Sequence, residues 1–154
     1  MPDQKSMKTI SLETISLDCA AEIARHALAH ARSHIMEPLA VAVLDVRGTL
    51  KAYLAEDGTS LLRFDIAFGK AWGSLGMGFG SRKLSERNTR TPQFINALQA
   101  MSDGKAVPVP GGVLIRNGQG AVLGAVGVSG ESSDNDELCA THAVLACGLV
   151  PDPQ

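Results

Sequence analysis

The stretch Ala106–Glu137, AVPVPGGVLIRNGQGAVLGAVGVSGESSDNDE, restricts the folds open to this 154-residue chain more than any other segment. Val113–Arg116 and Ala121–Val128 read as strands around Asn117-Gly118-Gln119-Gly120, and Asn-Gly is the strongest short hairpin signal. In the second strand Val122, Gly124, Val126 and Val128 fall on one face, with Leu123 and Ala125 on the other. Both faces are apolar, so the strand is expected to be covered on both sides. Asp134 and Glu137 are spaced as a capping box for a last helix, Leu138–Cys147, which Gly148 and Pro151 close.

The rest of the chain must therefore supply cover and further strands. Residues 1–10 read as a loose arm, and 11–150 as one domain. Ser16 or Asp18 can cap a helix running to about His34, with Leu17, Ala20, Ala24, Ala27, Ala31 and Ile35 as its buried stripe. Leu39–Asp45 and Leu50–Ala55 form a hairpin whose second strand is partly wet. Thr59 or Ser60 caps the next helix, with Leu61, Phe64, Phe68, Ala71, Trp72 and Leu75 as its apolar stripe. Gly69, Gly73, Gly76 and Gly80 each cost about 1 kcal/mol against Ala in a helix. Close packing is expected at the early ones and fraying after Leu75. Ser81–Arg90 reads as a polar, basic turn. Thr91-Pro92 opens another helix, with Phe94, Ala97, Leu98 and Met101 facing inward. The order α-β-β-α-α-β-β-α has no βαβ repetition and predicts an α+β fold: a single-domain antiparallel sheet of four or five strands flanked by helices.

Net charge is −2 and well mixed, which argues against nucleic acid, and no apolar run approaches the roughly 20 residues that span a bilayer. Met1–Thr14 lacks the apolar core of a signal peptide, so the cytoplasm is the expected location. Cys19, Cys139 and Cys147 are odd in number and form no CxxC pair; they are expected to be free, buried thiols.

VPVPGGVLIRNGQGAVLGAVGVSGESSDNDELCA resembles the signature of the GlcG/HbpS family of haem-binding proteins, a domain also found at the C-terminus of PduO-type corrinoid adenosyltransferases. VAVLDVRGTLKAYLAEDGTS is similar to the family's first hairpin, and IAFGKAWGS to its IAxxKA helix. The likeness spans roughly residues 10–150. It implies a profilin- or PAS-like sheet, assembly into homo-oligomers (tetramers or octamers), and binding of haem or a related small ligand. A role accessory to small organic acid catabolism, or in redox or iron handling, is also implied.

Several residue types carry matching chemistry. His26, His30 and His34 lie at i, i+4, i+8 on one helix stripe, a spacing that lets His26 and His30 share a metal but equally describes a solvated face. His142, three residues after Cys139, is a capable haem ligand or a packed core histidine. Lys70 is either a lysine snorkelling from a packed helix or an anchor for a carboxylate. Arg82, with Lys83, Arg87 and Arg90, offers fork donors for anions or a solvated basic turn. Pro110-Gly111-Gly112 allows a ligand to approach backbone N–H groups, and Ser129-Gly130 could border the same pocket. The second expectation is a cofactor-free isomerase, tautomerase or hydratase acting on a small carboxylate, with Lys70, Arg82 and the Gly111-Gly112 backbone stabilising charge.

Overall fold

The central hairpin closes on Asn117, whose side-chain Oδ1 accepts from the backbone N–H of Gln119 at 3.0 Å and of Ala121 at 2.9 Å. This Asx turn joins β3 (Gly112–Arg116) to β4 (Val122–Ser129). The structure is a computed structural model and describes residues 8–154, so most of the expected arm lies outside the described residues. Upstream, β1 (Ala40–Asp45) and β2 (Leu50–Ala55) form the second hairpin. β1 also pairs antiparallel with β4, from Ala40 opposite Ser129 to Asp45 opposite Gly124. A strand absent from the sequence-based reading, β5 (Val150–Asp152), pairs with β3. The sheet is five-stranded and antiparallel throughout, in the order β2-β1-β4-β3-β5.

Helices α1 (Leu17–Ser33) and α5 (Ser133–Ala146) cover one face, and α2 (Arg63–Met77) covers the other. Toward α1 and α5 point Val41, Val43, Val113, Ile115, Val126 and Val128; toward α2 point Leu44, Leu114 and Ala125. Register shifts occur in the β1–β2 ladder, between Val43 and Leu44, and in the β3–β4 ladder, where the alternation of β4 breaks. Ile115 pairs with Gly124 but Arg116 with Val122, so a bulge leaves Leu123 unopposed. Leu123 thereby joins the α1/α5 side and Val122 the α2 side, the reverse of what strict alternation predicts.

Close backbone contact sets the α2 layer. A Cβ on Gly112 would collide with the carbonyl oxygen of Lys70, and one on Gly127 with that of Ala67. Gly69 is crowded by Lys105 and Val107, whereas Gly76 has open space and the helix ends at Gly78 in the left-handed region. The early packing is present, but the expected fraying after Leu75 is not: the helix runs on through Met77 to the Gly78 cap, whose N–H bonds the Ser74 carbonyl.

Three further sequence expectations are corrected. Ser81–Arg90 is a helix, α3, which buries only Ser81 and Leu84 and so carries no apolar period to read. α4 (Pro92–Met101) buries Ile95 and Leu98 against Leu84 and Ala106, leaving Phe94, Ala97 and Met101 exposed rather than inward. The caps also differ. Ser16 caps α1 as expected, but Leu62 stands at the N-cap of α2 with no side-chain cap, and Ser132 caps α5 by accepting from Asn135 N–H at 3.3 Å. Asp134 and Glu137 are engaged elsewhere. Among the described residues, no helix is long and apolar enough to cross a membrane.

Candidate functional site

Folding draws most of the sequence-selected residues to two places. The first lies between the N-terminal turn of α5 and the middle of α2. Lys70 is only 2% exposed, and its Nζ donates to Asp136 Oδ2 at 2.9 Å and to the Val128 carbonyl at 2.9 Å. Asp136 is equally enclosed, its other oxygen accepting from Glu131 N–H at 3.0 Å. Burial pushes the Lys70 ammonium down and the Asp136 carboxyl up, and their mutual attraction opposes both shifts.

Around this pair stand Arg63, donating to Ser129 Oγ at 3.1 Å, and Ser81, whose Oγ accepts from Gly112 N–H at 2.7 Å. Arg82 reaches across from α3 to Asp134 at 2.5 Å and Glu137 at 3.0 Å, tying α3 to α5. Gly111, at φ +124°, turns the chain directly over Lys70, where a side chain would meet Nζ. Pro110 is buried beside it. Lys70, Pro110, Gly111, Gly112 and Ser129 thus gather around the buried pair, with Arg82 held to the α5 carboxylates that flank Asp136. No buried side-chain polar atom among the described residues lacks a partner. The Lys70 ammonium has no path to a dissolved substrate in this arrangement.

The second place is a cleft between α1 and α5, which run antiparallel. His30 on α1 stacks on His34 on one side and on His142 of α5 on the other, with centroids 4.2 Å apart in both contacts. Met36, Asn135, Leu138, Thr141 and Leu145 complete a largely apolar cleft of about 440 Å³, within the size range of small-ligand sites. His34 Nδ1 lies 2.9 Å from the His30 carbonyl oxygen, which only accepts. Ser33 Oγ lies 3.0 Å from the same Nδ1 and donates to the same carbonyl at 2.9 Å, so the Nδ1 edge of the ring is engaged on α1 and Nε2 has no hydrogen-bond partner among the described residues. Burial first, then the neighbouring His142 and His34, hold the His30 imidazole below its usual range and favour its neutral form.

His26 sits one turn from His30 but turns to Glu22, 3.8 Å away, and does not line the cleft. Among the described residues no three His, Cys, Asp or Glu side chains converge as a metal-binding group. Cys139 is buried with its Sγ 3.5 Å from Met36 Sδ, and burial first of all pushes its thiol up to about 11, so it stays protonated at neutral pH. All three cysteines are free. The sequence shows the α1 histidine stripe and His142 separately; only the antiparallel contact of α1 with α5 makes them one site. Met36, Leu138 and Leu145 carry no sequence signal that separates them from ordinary helix and loop residues.

The sequence matches the family model described as haem degrading protein HbpS-like over residues 15–145. No curated protein matches the chain by sequence. Among solved structures, the Klebsiella pneumoniae protein ORFY is similar over 92% of this chain and 95% of its own, at 25% identity and a TM-score of 0.83. A PduOC:haem complex is similar over 88% of this chain and 96% of its own, at 25% identity and a TM-score of 0.79. A double mutant of Streptomyces reticuli HbpS shares the fold over 95% and 94% of the two chains, at 24% identity and a TM-score of 0.76.

Proposed function

The chain belongs to the HbpS-like family of haem degrading proteins, and from that premise we propose that it binds haem in the α1–α5 cleft. The observation that carries the reading is the stack of His34, His30 and His142 inside a cleft otherwise lined by Met36, Leu138 and Leu145. Imidazole nitrogens are haem axial ligands, and apolar walls suit the porphyrin. The donor set fits the group. His34 is the residue best placed to ligate, because its Nδ1 is engaged by the His30 carbonyl and Ser33 Oγ while Nε2 has no partner among the described residues. His30 and His142 are the neighbours that complete the polar lining. Bound haem would supply an iron centre for redox chemistry. The similar PduOC structure, solved with haem, supports the reading.

Haemin titration of the full chain tests it: a saturable Soret band is expected, altered in position or intensity in His34→Ala and weakened in His142→Ala. Identical spectra for both variants and the parent sink the assignment of this cleft.

We also infer that the chain self-associates. Leu61 is 91% exposed and Leu62 63% exposed, and Tyr53 and Leu54 on the outer strand β2 are also open to solvent. Such apolar patches mark protein contacts. A monomeric mass by light scattering at about 100 μM would remove this part of the proposal.

A further inference from the structure

The outward face of α4 carries a second ligand-sized feature, independent of the haem reading. Ile95 and Leu98 satisfy the core, yet Phe94, Ala97 and Met101 continue as an apolar stripe on the surface. With Met77 and the edge of Leu98 they line a groove of about 440 Å³ that is almost wholly apolar. Phe94 also borders an adjoining hollow of about 380 Å³, whose other walls are Arg87, Arg90, Thr91 and Gln93. The apolar groove and the cationic hollow share one wall.

Arg87 is held in place without a counter-charge. Its guanidinium lies 5.1 Å from the ring centre of Phe79 and 5.5 Å from that of Phe94, and no carboxylate among the described residues pairs with it. Among the described residues Arg90 pairs only with Glu86, at 3.8 Å and well exposed. Two rings thus fix a fork donor at the end of an apolar trough. A guanidinium so presented matches a carboxylate in bidentate geometry, and the trough matches an unbranched hydrocarbon.

We propose that this surface binds an amphipathic carboxylate of the long-chain aliphatic acid class, head on Arg87 and Arg90, tail along Phe94, Ala97 and Met101. The charge beside the groove favours this occupant over a second copy of the chain, which would have to bring its own acidic residue to Arg87.

Calorimetric titration of the full chain with dodecanoate and with dodecanol, both below their micellar range, tests the proposal. Dodecanoate is expected to bind saturably and about tenfold more tightly than dodecanol. Arg87→Gln should erase that difference and leave the weaker tail binding, while Ala97→Glu should abolish both. Unchanged unfolding midpoints for the two surface variants keep these readings separate from misfolding. Equal affinities for the two probes, no saturable binding, or full discrimination retained in Arg87→Gln would overturn it. So would an oligomer that dissociates in Ala97→Glu while the parent takes up no dodecanoate, since the groove would then be covered by another copy.

Discussion

Replacing Lys70 by Met should expose how the buried pair works. The methionine keeps most of the side-chain volume, but Asp136, 2% exposed, loses its partner at 2.9 Å and keeps one backbone donor, Glu131 N–H. An enclosed carboxylate without its cation is expected to take up a proton. At pH 7 this costs an ordinary carboxyl of pKa about 3.9 roughly three units, or about 4 kcal/mol. That agrees with the roughly 3–5 kcal/mol found on breaking buried ion pairs. The deficit has a definite pH dependence. In the variant the folded-state pKa of Asp136 lies far above its unfolded value, so the variant is least penalised below the unfolded pKa and loses stability as pH rises. Its deficit should shrink to about 1.5 kcal/mol at pH 5. Urea unfolding of parent and variant at both pH values measures this, and at pH 7 the melting temperature should fall by roughly 10 °C or more. Combining Lys70→Met with Asp136→Leu should recover much of the loss, because no charge is then left unpaired. A single-variant deficit below about 1 kcal/mol, or one equal at the two pH values, would refute the reasoning.

Gly112→Ala should lose about 3 kcal/mol or fail to fold, since its Cβ would meet the Lys70 carbonyl and Ser74; Gly118→Ala, with open space around it, should stay within about 1 kcal/mol. Equal unfolding midpoints would contradict the close α2–sheet contact. Asp45 is 1% exposed. Burial raises its pKa, but hydrogen bonds from the Arg47 guanidinium and the Thr49 and Arg47 N–H groups outweigh that and hold it below the usual carboxylate range. Its stabilisation is therefore complete above the unfolded pKa of about 3.9 and is lost as pH falls through the lower folded value. Asp45→Asn should be less stable than the parent at pH 7, and the gap should close between about pH 4 and 2 in a urea series; a gap that stays constant over that range would count against it.

The two hairpins were legible because Asn117-Gly118 and the Asp45–Gly48 turn impose local geometry whatever surrounds them. The α1 stripe was read almost whole, since Ala20, Ala24, Ala27 and Ala31 recur at helical spacing and all are buried; Leu17 and Ile35 fall beyond the sheet and are exposed. α3 left no apolar period to read, being tied down by Arg82 to α5 and by the buried side chains of Ser81 and Leu84. β5 is three residues long and contains Pro151, which reads as a stop. The orientation of α4 depends on Leu84 and Ala106, both distant in sequence or on another element. The same holds for the site: spacing alone proposed His26 with His30, whereas tertiary packing put His142 against His30 instead.

The pairing of β1 with β4 also has a consequence for synthesis in the cell. Ala40 meets Ser129, about ninety residues later in the chain. At roughly 5–20 residues per second, a ribosome releases Val41 and Val43 on the order of 5–20 s before their β4 neighbours and the α5 cover exist. Throughout that interval the first hairpin has α1 on one side and nothing on its inner edge. The nascent chain is therefore an unfinished sheet until β4 and α5 have been made, and a holding chaperone would find its target in LAVAVLD.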